Sequence, residues 1–378
     1  MDTATKSALW IIAGGIVIAL LYEARGILAP FALSVFLFLT IEGFARAVDN
    51  HVPGNQRLLS RTMAILVVLG GFIAFVGMMA QGIAQFGGQN AADYERRINE
   101  LIGDVYGLVG MAQEAPSLTQ LLFNETGQRL VGPIANAVGE LSGDIVLILI
   151  YVGFLFLAQS TWSQKLDRIF REPAQRSKVT RVAEAARKGI ESYLWTQTVI
   201  SVLITVLTYT TLRALGVENA LFLSALIFVL NYIPTVGSIV AALVPPLFAL
   251  VQPDVPAWVP GAAPQDSYVY TLLVLVAVSF WQFAIGNFLQ PRMMGESLNL
   301  SALVVLLSLA IWGALWGIPG MFLSAPLTVL MMVLFAQSDS TRWVAVLLSA
   351  DGNPSLDQAE SPSDTGASLA AGAGAGPA

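Results

Sequence analysis

The sequence predicts an all-α, polytopic membrane protein, and three observations carry that prediction. Hydrophobic residues make up 56% of the 378-residue chain and charged residues only 12%, where a soluble domain carries roughly 25% charged residues. The mean hydropathy is +0.70. Uncharged apolar runs recur at the length of a bilayer crossing, about 20 residues for a hydrocarbon core of about 30 Å. Two further runs are too long for one crossing.

Taken in order, Ala8–Tyr22, Ile27–Ile41, Met63–Phe86, Ile145–Gln159, Tyr193–Leu212 and Tyr268–Leu289 read as six single transmembrane helices. The long runs are Asn219–Pro253 and Ser297–Ser338. At about 1.5 Å per residue they measure ~50 and ~60 Å as helix, so each must fold back on itself. The chain then divides into N-terminal transmembrane helices (1–86), an external amphipathic helical segment (87–144), a transmembrane helix with a basic helical segment (145–192), a transport core (193–338) and a largely disordered tail (339–378). In the external segment Ile98, Leu101, Ile102, Val105, Val109 and Ala112 recur at helical spacing. That stripe suits a membrane surface or a neighbouring subunit.

Orientation follows the lysine and arginine bias of short loops. Lys165, Arg168, Arg171, Arg176, Lys178, Arg181, Arg187 and Lys188 crowd one segment, which is therefore expected in the cytoplasm. A solvated helix obeying the topology rule accounts for these charges without further chemistry. Counting spans from there puts both termini in the cytoplasm. It also makes the first long run begin and end outside and the second begin and end inside. The expected pattern is two opposed re-entrant helical hairpins related as an inverted repeat. Their apices are Ile233-Pro234-Thr235-Val236-Gly237 and Gly317-Ile318-Pro319-Gly320. Paired interrupted helices in two halves point to the binding site of a secondary transporter. The plainer alternative makes each run two short helices with a tight turn.

Several function classes drop out. The chain has no cysteine and one histidine, His51, which removes thiol nucleophiles, disulfides and a paired-histidine metal site. No GxxxxGK[ST] loop cradles a nucleotide. Lys6, Lys165, Lys178 and Lys188 all lie outside the spans, so none can activate a serine there. Neither enzyme chemistry nor nucleic-acid binding finds support, and no cofactor is implied. Energy would come from a sodium or proton gradient, or the flux is passive as in a channel.

The polar groups available at depth are neutral: Asn231, Tyr232, Thr235, Gln282, Asn287, Gln290, Ser308 and Ser324. They suit a small polar solute, and carbonyls opened at Pro234 and Pro319 could hold sodium. Each amide could equally be interhelical glue, worth about 0.6 kcal/mol. Gln282 reads as glue, whereas Asn231, beside the break, reads as functional. Trp312 and Trp316, four apart, share a helix face near the second break and suit a gate or an interfacial belt. Glu42 and Glu296 sit at span ends, and Arg292 reads as an anchor or as a partner of Glu296.

"LGVENALFLSALIFVLNYIPTVGSIVAALVPPLFAL" and "GNFLQPRMMGESLNLSALVVLLSLAIWGALWGIPGMFLSAPLTVLMMVLF" resemble the autoinducer-2 exporter family, also called PerM-type permeases. The resemblance runs through Asn231, Pro234 and Gly237, then Asn287, Gln290-Pro291-Arg292 and Gly295, then Trp312, Gly317, Pro319-Gly320 and Pro326. Upstream, "ESYLWTQTVI" matches with Tyr193 and Gln197. It implies a multi-pass bacterial inner-membrane transporter, described in this family as an autoinducer-2 exporter acting in quorum sensing or as a sodium/proton antiporter. A homo-oligomer is expected too, with Gly70-Gly71 and Gly77 offering close helix packing in the lipid.

Overall fold

The computed structural model describes residues 3–49, 57–86, 91–108, 144–252, 267–294 and 299–354, with Ser117, Pro256 and Trp258 between them. His51, Val109, Ala112, most of the 253–266 loop, Gly295, Glu296 and the tail beyond residue 354 lie outside the described residues.

Apart from one isolated bridge, every regular element among the described residues is a helix. In chain order these are α1 (Thr3–Glu23), α2 (Arg25–Asp49), α3 (Arg57–Phe86), α4 (Ala91–Leu108), α5 (Asp144–Gln159), α6 (Trp162–Ile169) and α7 (Pro173–Leu215). There follow α8 (Ala220–Leu230), α9 (Val236–Val251), α10 (Ser267–Ala284), α11 (Gln290–Met294), α12 (Ala302–Phe335) and α13 (Arg342–Leu348). A π-helical turn, Ile285–Leu289, joins α10 to α11.

Five helical stretches are long and apolar enough to cross a membrane: Arg25–Arg46, Ser60–Gly82, Pro173–Leu215, Tyr268–Met293 and Ala302–Phe335. Two of the six expected single spans appear as shorter apolar helices, Ile11–Glu23 and Asp144–Gln159. The expected boundary before Tyr193 is absent. Only Gly189 interrupts an otherwise good helical sequence there, at a cost of about 1 kcal/mol, and α7 runs unbroken for 43 residues from the basic segment into the core. Ile11, Ile12 and Ile18 on α1 and Leu66, Val67 and Ile73 on α3 are exposed. Such faces are at home in lipid.

The first long run is two helices of 11 and 16 residues, about 16 and 24 Å long. They fold back on each other. At the open end Gln252 accepts from the Glu218 N–H at 2.9 Å and donates to the Gly216 carbonyl at 3.3 Å, tying the exit of α9 to the entrance of α8. At the closed end Gly237 is buried, and a methyl group there would overlap the Leu230 carbonyl oxygen.

The second long run appears as the single helix α12, yet Gly317 inside it has φ 65° and ψ −140°. That conformation suits only glycine. The chain reverses there. A methyl group on Gly320 would overlap the Trp312 carbonyl oxygen, whereas eight residues along an unbroken helix separate groups by about 12 Å. Leu300, Val329 and Val333 share one apolar cluster, so the two ends of this run also meet. Ser301 caps the entering helix by accepting from the Val304 N–H at 3.3 Å. Behind it the chain pairs with the end of α13, the Ala350 N–H donating to the Asn299 carbonyl at 3.0 Å.

Helix α4 packs on its own chain. Tyr94 is buried against Phe248 of α9, with ring centroids 5.6 Å apart. Its hydroxyl donates to the Glu218 carboxylate. Burial first, then this carboxylate, raises the Tyr94 pKa above the ordinary phenol value.

The two close approaches generate a stability prediction. Gly237→Ala and Gly320→Ala each force backbone apart at a turn, so each should cost about 1–3 kcal/mol. Gly14→Ala and Gly15→Ala, where an added methyl meets no atom of another described segment within 4 Å, should instead stabilise by up to about 1 kcal/mol. Unfolding in detergent measures all four. Equal stability of the two pairs would contradict the closed apices.

Candidate functional site

The first break runs from Asn231 to Thr235, and α7 supplies the side chains that line it. Gln197, Thr198 and Ser201 stand at spacings of one and four residues, on one side of α7. Gln197 and Ser201 are buried at 2% and 0% exposure. Gln197 donates to the Asn231 carbonyl at 2.6 Å, and the Asn231 amide donates to Ser201 Oγ at 2.9 Å. Thr198 Oγ1 and the Tyr232 hydroxyl share a 2.8 Å hydrogen bond. A polar strip thus crosses from α7 into the break, inside an otherwise apolar bundle.

Thr235 has φ 59° and ψ −58°, an unusual conformation for a β-branched residue. The Val236 N–H reaches back to the Pro234 carbonyl at 2.6 Å, closing a γ-turn centred on Thr235. Its side chain is exposed, whereas Pro234 is half-buried. Backbone strain of this kind clusters at functional sites.

Tyr232 also joins the two folded-back elements. Its ring stacks on Phe322, just past the second apex, with centroids 4.7 Å apart and planes at 27°. Phe36 of α2 meets both rings edge-on, at 5.8 Å from Tyr232 and 4.9 Å from Phe322. Phe228 of α8 completes the group, 5.6 Å from Tyr232. Through Tyr232 the first break therefore touches the element that carries Gly317, Pro319 and Gly320.

The remaining sequence candidates sit apart from this point. Asn287 is exposed in the π-helical turn, where its amide donates to the Phe283 carbonyl at 3.0 Å. Gln290 is half-buried and Pro291 exposed on α11. Trp312 and Trp316 are buried against α1 and α2, with rings 5.1 Å apart. The Trp316 indole N–H donates to the Leu21 carbonyl at 3.0 Å, satisfying an acceptor in the last turn of α1. Glu42 is buried and accepts from Arg61 at 2.6 Å, while Arg61 also donates to Gln159. Among the described residues no cluster of histidine, aspartate or glutamate could hold a metal ion.

Sequence reasoning missed Thr198, Ser201, Phe36, Phe228 and Phe322. The first two left a signal, since "TQTVIS" places polar groups at helical spacing within an apolar span. A phenylalanine among apolar neighbours leaves none.

The geometry predicts two couplings. A double-mutant cycle between Tyr232→Leu and Phe322→Leu should return about 0.5–1.5 kcal/mol, the worth of an aromatic pair beyond its area. Gln197→Leu should cost about 1–3 kcal/mol by leaving the Asn231 carbonyl unpaired. Both are read from unfolding in detergent, and a cycle that closes at zero would sever the two tips energetically.

Comparison with known proteins places these features in a family. Residues 8–339 match the profile described as AI-2E family transporter. A transport protein of Haemophilus influenzae is 28% identical over 355 residues, 91% of this chain and 96% of the relative. The AI-2 transport protein TqsA of Escherichia coli strain K12 is 27% identical over 330 residues, 86% of this chain and 90% of that protein. YhhT of the same strain is 25% identical, covering 88% of this chain and 91% of its own length. With several long apolar helices, bacterial relatives along nearly its whole length and a family profile spanning both folded-back runs, the chain belongs to the AI-2E family of transporters and is a multi-pass membrane protein rather than an enzyme.

Proposed function

We propose that the chain is a secondary transporter that exports a small, uncharged, polar solute, and that AI-2, named for the relative TqsA, is the first solute to test. The observation that carries this reading is the polar strip of Gln197, Thr198, Ser201 and Asn231 beside a helix break whose tip touches the second folded-back element. Neutral amides and hydroxyls recognise hydroxyl-bearing solutes. Protons instead travel on intramembrane Asp, Glu or His, and the buried carboxylates Glu42 and Glu191 are both paired with arginines. Sodium/proton antiport is therefore the second reading.

In the proposed mechanism the α8–α9 pair enters the membrane from outside and the two halves of α12 from inside, as an inverted repeat of re-entrant hairpins. The Tyr232–Phe322 contact is the closed point between two half-pathways. The lysines and arginines of the 165–188 segment support an orientation with both termini on the cytoplasmic side of a bacterial inner membrane. Gly70, Gly71 and Gly77 of α3 are exposed, with no atom of another described segment within 4 Å of an added methyl. Such a bare glycine face fits a second copy in the lipid, which supports a homo-oligomer. Native mass spectrometry from mild detergent and from membrane vesicles should show more than one subunit, and a monomer in both would remove this part of the proposal.

One preparation tests transport and topology together. Thr235→Cys introduces the sole cysteine of the chain, and the protein is reconstituted in oriented proteoliposomes. AI-2 flux should saturate and respond to an imposed sodium or proton gradient. An impermeant thiol reagent should label Cys at this position from the periplasmic face alone, and AI-2 should protect it. Ohmic, non-saturating conductance would make the protein a channel. Labelling only from the cytoplasmic face throughout the cycle would sink the inverted repeat.

A further inference from the structure

Pro245 and Pro246, in the middle of α9, play no part in either apex. Both are buried. Neither has an N–H, so the carbonyls of Ala241 and Ala242 lose their helical donors. Ala241 is 0% exposed, which closes its carbonyl to bulk water, whereas Ala242 is half-buried.

Unpaired side-chain atoms lie at the same level. Thr208 Oγ1 on α7 and Gln282 Nε2 on α10 are buried and find no hydrogen-bond partner among the described residues. Trp281 donates to Thr211 at 2.9 Å and Tyr270 to the Leu215 carbonyl at 3.2 Å, which sets α7 and α10 antiparallel and in register. One step from the Trp281–Thr211 bond, toward the π-helical turn, come Gln282 and Thr208. On one side of this level Leu212, Val278, Phe248 and Ala249 share an apolar cluster, and on the other Ile204, Ala241 and Ile285 share a second. A polar layer is enclosed between two apolar ones.

We infer that Thr208, Gln282 and the carbonyls freed by Pro245 and Pro246 form a solute site inside the α7–α10 bundle, selective for neutral molecules bearing hydroxyl groups. The inference rests on the transport reading above and narrows its substrate class. An amide nitrogen only donates, a freed carbonyl only accepts, and a threonine hydroxyl does both. A cation would satisfy the carbonyls but face the amide hydrogens. An anion would meet the amide but face the carbonyls. A neutral hydroxyl serves each in turn. Both unpaired atoms are closed to solvent in this conformation, as an occluded site requires.

Removing an unpaired polar atom from an apolar interior does not destabilise a protein when the atom has no work. A loss of AI-2 binding and flux at unchanged or raised ligand-free Tm therefore reports a lost contact with the solute rather than a lost fold. Gln282→Met and Thr208→Val conserve volume, and either suffices if the other fails to fold. AI-2 flux in proteoliposomes and the AI-2-dependent rise in Tm are read on the same preparations. Each variant should lose about tenfold in flux and in apparent AI-2 affinity, with the ligand-free Tm unchanged or raised. Pro245→Ala with Pro246→Ala, which returns two N–H groups to the helix, should weaken AI-2 in the same way. Variants that bind and move AI-2 like the parent while melting higher would make these atoms structural orphans and overturn the site. A parent protein that binds AI-2 through these residues without saturable flux would keep the site and remove the transport reading. A parent that neither binds nor moves AI-2 would overturn both.

Discussion

Hydrocarbon offers no hydrogen bonds, so each interruption of a membrane helix must be closed by the protein itself. The rest of this structure is arranged around that constraint. At the first break the N–H groups of Asn231, Tyr232, Ile233, Val236 and Gly237 all find carbonyls within the turn. The Asn231 carbonyl is served from outside, by Gln197. An unpaired backbone group would cost several kcal/mol there. The polar face of α7 is thus a structural necessity before it is a candidate pathway. At the second break a single glycine makes the reversal, and regular helix continues on both sides.

Charge is handled differently and elsewhere. One turn of α2 carries Glu42 and Arg46, which reach in different directions to Arg61 on α3 and Glu191 on α7. The carboxylate side chains are 12% and 9% exposed, but their arginines are 43% and 40% exposed. The pairs therefore fall between the fully buried case, where removing one partner costs about 3–5 kcal/mol, and the surface case of about 0–1 kcal/mol. They fix how α2 meets its neighbours. Because α2 also holds Phe36 against both tips, this orientation reaches the candidate site. Around the first break the polar groups are neutral.

Much of the fold was legible because length alone forbids a ~60 Å helix from crossing once. Pro234, Gly317 and Pro319 marked where helix continuity weakens, and the structure has non-helical backbone at Thr235 and Gly317. What could not be read was contact between distant segments. Nothing near Tyr232 announces Phe322, and nothing near Glu218 announces that Gln252 or Tyr94 will close on it. The continuity of α7 also escaped, since a change from charged to apolar residues looks like a boundary while the backbone feels none. Trp312 and Trp316 illustrate a further limit. Their spacing put them on one face, but only the structure shows that face turned toward α1 and α2.

The nature of the contact between the two elements bears on how such a protein could move. Tyr232 keeps its polar atom on Thr198 of α7 and presents its ring to Phe322. Parting the rings would forfeit about 0.5–1.5 kcal/mol and leave no hydrogen bond broken, because the polar network belongs wholly to α7 and the first element. Had the tips met through Asn231 or Gln197, separation in lipid would strand buried polar groups at about 1–3 kcal/mol each. On the proposed reading the division of labour follows from these magnitudes. Polar groups hold each element in shape, and an aromatic surface, weakly directional and cheap to separate, lies between the parts that move.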